Sequence, residues 1–268
     1  SKATGLIGGK PGPGGISSRV NLQTNSAQVI AIGQTAVPAR LIYFGTSGTN
    51  NELLSMIYAH ADCITSGFVS LAINNISTAF PTPTGAYAGI LAIETADGTQ
   101  TANPFTSVNG GLWGATDIGQ GLTLSHFRWT YDADKLVSGL PQNIQFVVKG
   151  LPVYDPRKDT TVGGSGTQRA NNESTWAYTY SGYDAGRNPA CVELSYRLGW
   201  RKAGRVFAGM GEDPANIDYT SYIAAANVCD EVVDGGPRYL IDGLLALTTA
   251  HNDNLASIHA SCGGRPID

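Results

Sequence analysis

Between Ile16 and Lys149 the apolar residues come in short runs, several of them alternating with polar neighbours. Ile16, Ser18, Val20 and Leu22 share one face of the first run. Period-two alternation is the mark of a half-buried strand. Val29 to Ile32, Ala39 to Phe44, Phe68 to Ile73, Tyr87 to Glu94, Leu122 to Tyr131 and Ile144 to Val148 follow. Each is bounded by Gly, Pro, Asn or Asp, as strands of a sandwich or barrel are. Leu53, Leu54, Ile57 and Tyr58 have helical spacing but lie between strand signals, and a strand is expected there. Asp97-Gly98 predicts a hairpin turn after Ile93.

Beyond Asn188 the period becomes helical. Asn188 is a good N-cap and Pro189 a good first helical residue. Cys191, Leu194, Ser195 and Leu198 then share a face, and Gly199 is the stop. Asp218 predicts the cap of a second helix, with Tyr222, Ala225, Cys229 and Val232 on one face and Asp234-Gly-Gly-Pro237 ending it. Arg238 to Thr248 reads as a strand or hairpin edge. A third helix carries Leu255, Ile258, His259 and Cys262 and ends at Gly263-Gly264. Each helix thus turns one cysteine inward.

Two stretches follow neither period. Residues 1–15 are rich in Gly and Pro and read as a flexible lead-in. Residues 159–187 read as a polar loop with little to bury, followed within it by Trp176, Tyr178, Tyr180 and Tyr183. An aromatic run of this kind pins a long loop to a protein surface. The expected organisation is a lead-in over 1–15, a β-rich region over 16–158, the polar and aromatic loop over 159–187, and an α/β lobe over 188–268 that reads as cut off at its C-terminal end. The fold class is α+β and β-rich, with barrel-like β modules and a small α-containing lobe.

Composition narrows the function. Charged residues are 14% of the chain, against about 25% in ordinary domains. Gly is 34 of 268 residues. A surface so poor in charge suits burial against other protein. The net charge is −4 and no basic stripe occurs, so the footprint of a nucleic-acid binder is missing. No apolar run reaches the length of a membrane span. The first residues do not read as a signal peptide.

The chemical motifs are missing as well. There is no G-x-S-x-G and no H-E-x-x-H. Cys63, Cys191, Cys229 and Cys262 lie 128, 38 and 33 residues apart, with no zinc-type spacing, and read as buried reduced thiols. His126 lies within a strand and reads as structural. Asp132 with Asp134, and Asp230 with Glu231, are carboxylate pairs at element ends. In Tyr154-Asp155-Pro156-Arg157 the aspartate before proline favours a turn, and Arg157 is placed to pair with it. That segment reads as a corner. No catalytic, cofactor-binding or metal-ligating residue is expected, and no cofactor.

The order of the motifs adds one further observation. Leu122 to Tyr131, Asp132-Ala-Asp134, Gly139-Leu-Pro141, Val147-Val-Lys-Gly150 and Pro152-Val-Tyr-Asp-Pro-Arg157 are followed by Asn188-Pro-Ala-Cys191, Ile217-Asp218, Ala224-Ala-Ala-Asn-Val-Cys-Asp-Glu231, Pro237-Arg-Tyr239 and the helix from Asn254 to Cys262. This series resembles the phage tail hub family, the tip attachment proteins of lambda-like phages and their prophage relatives. The likeness runs from about Ala39 onward and is sharpest from Leu122 to Gly264. Tyr154, Asp155, Pro156, Arg157, Asn188, Pro189, Asn227, Cys229 and Asp230 carry it as structural residues. Val192-Glu-Leu-Ser-Tyr196 departs from the family's Leu-x-Asp-Tyr.

The resemblance implies a structural virion protein at the tail tip, assembled in the bacterial cytoplasm. Its implied partners are two further copies in a homotrimer, the distal tail protein, the tape-measure protein and other tail-tip proteins. DNA is implied only as passing cargo, and the host receptor only through regions outside this chain. Two barrel-like modules per subunit are implied to mimic one ring of the hexameric tail tube. The alternative reading is a secreted carbohydrate-binding or glycan-degrading β protein. It needs two carboxylates in a cleft beside Trp113, Trp129 or Trp176.

Overall fold

Alternation and turn chemistry place most of the strands where the pattern puts them. The computed structural model describes residues 4–5, 20–21, 27–105, 107–108, 113–136, 139–141, 143–180 and 182–263. The flexible lead-in over 1–15 and the strand from Ile16 to Leu22 lie outside these residues, apart from the short pair β1 (Thr4–Gly5) and β2 (Val20–Asn21). The strands that follow are β3 (Val29–Ile32), β4 (Gln34–Val37), β5 (Arg40–Ser47), β6 (Leu53–Ala61), β7 (Gly67–Ile73), β8 (Ile76–Thr78), β9 (Leu91–Ala96), β10 (Thr123–Thr130) and β11 (Ile144–Lys149). The chain divides into two compact units. One holds residues 1–26, 36–64 and 68–147, the other residues 27–35, 65–67 and 148–268.

The first unit rests on two four-stranded sheets, β5-β6-β10-β9 and β4-β11-β7-β8. Neither closes into a barrel among the described residues. β6 is central and buried along nearly its whole length, which explains why its sequence lacks alternation. Its two faces have different neighbours. Ile57 and Ala59 pack with Phe105, Leu124 and Ala96. Tyr58 meets Phe127, and His60 meets Phe146 of the other sheet, at ring centroid separations of 5.5 and 5.2 Å. Phe146 also touches Phe68, Phe80 and Phe127, so one aromatic cluster joins the sheets. His60 is fully buried there. Its Nδ1 lies 2.9 Å from the Pro38 carbonyl and its Nε2 lies 2.7 Å from Ser125 Oγ. A carbonyl only accepts, so Nδ1 carries the proton and Nε2 accepts from the serine hydroxyl.

The second unit brings three helices to short strands. α1 (Pro189–Leu198) buries Cys191, Val192, Leu194, Ser195 and Leu198. β12 (Trp200–Lys202) and β13 (Arg205–Ala208) form a hairpin at its C-terminal end. α2 (Tyr219–Cys229) runs antiparallel to α1, since Asn188 Nδ2 donates to the Ala226 carbonyl and Tyr222 Oη donates to Glu193. β14 (Val232–Val233) and β15 (Gly236–Pro237) form a second hairpin, and β16 (Gly243–Ala246) pairs antiparallel with β3. α3 (His251–Ala260) packs on α1, with His259 Nε2 2.9 Å from Glu193 and His251 Nδ1 2.8 Å from Tyr196 Oη. The whole is a strand-rich α+β chain.

Four expectations need correction. Tyr87 to Glu94 does not begin as a strand: residues 85–87 form a 3-10 turn, and the strand starts at Leu91. Asp97-Gly98 turns the chain but makes no hairpin. Asp97 Oδ1 accepts from Thr99, and β9 pairs instead with β10, more distant in sequence. α2 stops at Cys229, so Val232 is not on its face; it lies in an exposed strand. Cys262 falls past the end of α3. The loop over 159–187 also holds more than expected. Asp159, Gln168, Ala170, Trp176, Tyr178 and Ala185 are all buried. Short 3-10 turns capped by Asp155, by Asn172 and by neighbouring carbonyls satisfy its backbone locally.

Candidate functional site

The corner begins where β11 ends. Gly150 donates to the Gly33 carbonyl and Leu151 to the Ala31 carbonyl, so the chain runs against β3. A Cβ at Gly150 would run into the Ala31 carbonyl, which is why this position needs glycine. Val153 then bridges to Ala177. Asp155 is extended, as a residue before proline must be, and Pro156 opens a 3-10 turn over Pro156–Lys158.

Asp155 is fully buried and fully occupied. Its carboxylate accepts from the Arg157 backbone at 2.9 Å, from Arg157 Nε at 2.9 Å, from Arg157 Nη2 at 2.8 Å and from Tyr183 Oη at 2.7 Å. The side-chain contacts form the two-pronged fork that makes arginine and carboxylate bind strongly. Arg157 reaches further. Nη1 lies 2.8 Å from Asp230 and 3.4 Å from Asn227 Oδ1, both at the end of α2. Nη2 lies 4.0 Å from Cys191 Sγ on α1. The guanidinium carbon sits 4.9 Å from the centre of the Tyr183 ring. Burial is the largest single influence and opposes its charge, but the hydrogen bonds to Asp155 and Asp230 and the charges around it together outweigh burial and hold the guanidinium above its usual pKa.

The other residues singled out in the sequence lie around the same point. Tyr154 donates its backbone N–H to Ser195 Oγ at 2.8 Å and its hydroxyl to Asp159 at 2.8 Å. Asn188 caps α1 by accepting from the Ala190 and Cys191 amides, with Pro189 next in line. Its Nδ2 donates to the Ala226 carbonyl at 2.9 Å, so one side chain starts α1 and ties α2 to it. Cys229 is buried at the end of α2. The structure therefore brings Tyr154, Asp155, Pro156, Arg157, Asn188, Pro189, Asn227, Cys229 and Asp230 to one junction.

Sequence reasoning missed Ser195 and Gln168 as members. Ser195 Oγ donates to the Cys191 carbonyl while accepting from Tyr154, and Gln168 accepts the Asp155 amide at 2.7 Å. A serine in the apolar stripe of α1 was the only available signal for the first. Nothing local marks the second.

The junction has little chemistry to offer. Burial, and the nearby Asp155 charge, push the Cys191 thiol well above its usual pKa, and burial raises Cys229 too. A protonated thiol is a poor nucleophile and a poor metal ligand. No group of three or more His, Cys, Asp or Glu suited to a metal occurs among the described residues. Three of the four paired carboxylates are engaged: Asp132 caps its own turn through the amides of Asp134 and Lys135, Asp230 holds Arg157, and Glu231 holds Arg238. His126, read as structural, meets Glu94 at 2.7 Å. A depression of about 200 Å³ in the first unit is lined by Val37, Pro38, Tyr58, Asn143 and Gln145, without a carboxylate.

The chain matches no family model and no curated protein. No helix of the described residues is long and apolar enough to cross a membrane.

Replacing Asn188 with alanine removes the cap of α1 and leaves the buried Ala226 carbonyl without this donor. A loss of about 1–2 kcal/mol is expected, the range for such caps. A urea titration of the purified chain measures it. Replacement by aspartate should recover part of the loss, because aspartate still caps but cannot donate to Ala226.

Proposed function

We propose that this chain is a structural segment of the tail tip hub of a long-tailed phage or prophage, closing the tail tube and linking it to host-attachment parts. One observation carries the reading. The residues that give the chain its resemblance to tail hub proteins are scattered over Tyr154 to Asp230 in sequence, yet they meet at one junction, where Arg157 joins buried Asp155 to Asp230 and Asn227 at the end of α2 and Asn188 ties α1 to α2. Such convergence is what a shared structural motif requires. The network leaves its charged and capping groups engaged with one another, as a rigid joint should.

In this reading the chain acts mechanically. It forms a homotrimer, stacks on the distal tail and tape-measure proteins, and lets DNA pass as cargo. The two four-stranded sheets of the first unit supply the tube-like, barrel-type module when copies assemble. The acidic balance of the chain keeps DNA from adhering. Receptor contacts belong to other regions. The glycan-binding alternative gains nothing from the tryptophans: Trp129 and Trp176 are buried, and Trp113 packs on Phe105 and Tyr43 while donating to Asn103.

Gold-labelled antibody against this chain, applied to particles of the phage or induced prophage that encodes it, tests the reading. Label at the tail tip is expected. Label elsewhere on the particle, or none, overturns it.

A further inference from the structure

The depression of about 200 Å³ in the first unit has hydrogen-bonding groups to spare. Both four-stranded sheets contribute to it. Residues 37–39 lead from β4 into β5, Asn143 and Gln145 flank the start of β11, and Tyr58 comes from β6.

Asn143 is held from behind by the turn between β7 and β8. Asn74 and Asn75 both take left-handed φ, 49° and 65°, as the tightest hairpin turn requires. Asn74 Oδ1 accepts the Asn143 backbone amide at 3.2 Å, and Asn75 Oδ1 accepts Asn143 Nδ2 at 2.9 Å. The donor of that side chain is thus used, and its Oδ1 has no partner. Gln145 is exposed, and its amide is uncommitted. Tyr58 is only 7% exposed, yet its hydroxyl has nothing better than the Met56 sulfur to donate to, at 3.4 Å. A thioether is a weak acceptor, and the lone pairs of the hydroxyl are left over. A buried hydroxyl so poorly matched is uncommon.

These groups define what fits. Asn143 Oδ1 and Tyr58 Oη are acceptors and call for donors; Gln145 offers one group of each kind. No charged side chain lines the depression, and Arg40, next to residues 37–39, is matched to Asp62 at 2.9 Å. An ionic ligand would therefore leave its charge unanswered. A cavity of about 150 Å³ holds a benzene ring, so one six-membered ring with its substituents suits this one. A neutral ring carrying several adjacent groups that both donate and accept is a sugar. We propose that the depression binds one neutral sugar ring, whose hydroxyls donate to Asn143 Oδ1 and Tyr58 Oη and exchange hydrogen bonds with the Gln145 amide. No carboxylate lines it, so the sugar is held and not cleaved. The inference rests on these side chains and not on the hub reading.

Saturation-transfer NMR of the full chain with the methyl glycosides of glucose, galactose, mannose and N-acetylglucosamine tests it. At least one is expected to bind with a Kd on the order of millimolar, as suits about a dozen atoms held mainly by hydrogen bonds. Gln145→Ala and Tyr58→Phe are each expected to weaken it about fivefold, the worth of one neutral hydrogen bond. Both changes spare the fold: Gln145 is exposed, and phenylalanine keeps the Tyr58 ring. Circular dichroism checks this. Equal binding of the parent reducing sugar and its methyl glycoside assigns the site to a residue of a glycan chain; binding of the reducing sugar alone assigns it to the free sugar. No binding by any sugar at 50 mM, or binding that neither variant weakens, overturns the inference. So does tighter binding of glucuronate or of a capped alanine dipeptide, which would make the ligand an anion or a peptide. None of these results moves the gold label on the particle, so the inference and the hub reading fail separately.

Discussion

Arg157→Ala is expected to destabilise the second unit by about 3–5 kcal/mol, the usual cost of removing one partner of a buried ion pair. The size follows from what is left behind. Asp155 is fully buried and would be left with only the backbone amide at position 157 and the Tyr183 hydroxyl as partners. Asp230 and Asn227 would lose their link to the corner, and the Tyr183 ring its cation. A domain is usually stable by only about 5–15 kcal/mol, so this one change removes a large share. Asp155→Ala should be comparably severe, because it strands the arginine. Asp155→Asn with Arg157→Met in the same chain should cost clearly less than the two single losses added, since no charge is then left buried. Urea titration of the three variants measures all of this. An Arg157→Ala chain within about 1 kcal/mol of the wild type would mean that the junction is not a stability element.

The second large effect is a loss of stability in mild acid, traced to His60. Burial, opposed only in part by the Pro38 carbonyl, lowers its pKa from 6.5 to about 4. Below 6.5 the unfolded chain takes up a proton at this histidine, while the folded chain resists until about pH 4. Stability from this group is therefore complete above pH 6.5, falls as the pH drops through the window, and is gone below pH 4. A shift of this size corresponds to about 3 kcal/mol, at 1.36 kcal/mol per unit. His126 acts in the same direction, since burial lowers its pKa despite Glu94. His60→Gln cannot take up the proton. Its stability at pH 7 falls below that of the wild type, but its decline between pH 6.5 and 4 should be visibly shallower. Equal slopes in urea titrations across that range would remove His60 from the account.

The elements with a clear period were legible. Among the described residues, most of the strands with bounding turns from Val29 onward, and α1 with its Asn188 cap, lie within a few residues of where the pattern puts them. The corner was legible too, because Asp-Pro-Arg is a local geometric statement: the proline extends Asp155, and Arg157 then lies within reach of it. Three things were hidden, each for a physical reason. The loop over 159–187 reads as unpacked because polar residues usually face water. Here they pair with one another: Asp159 takes Thr161, Tyr154 and Arg169. Val232 extends the helical period of α2, yet Asp230 already lies past the helix, and sequence periodicity carries no signal of that stop. The meeting of Arg157 with Asn227 and Asp230 spans about 70 residues, and no local rule reaches that far.

The pairing of β3 with β16 sets an order on synthesis. β3 leaves the ribosome early, and its first neighbours, Gly150 and Leu151, arrive more than a hundred residues later. Its other edge waits for Gly243 to Ala246. At about 5–20 residues per second, that is roughly 10–40 seconds with an apolar strand first unpaired and then only half paired. Val29, Ile30, Ala31 and Ile32 are the residues left waiting, and a bare strand edge of this composition is a template for wrong partners. Any nascent chain stopped short of Gly243 keeps that edge open for good.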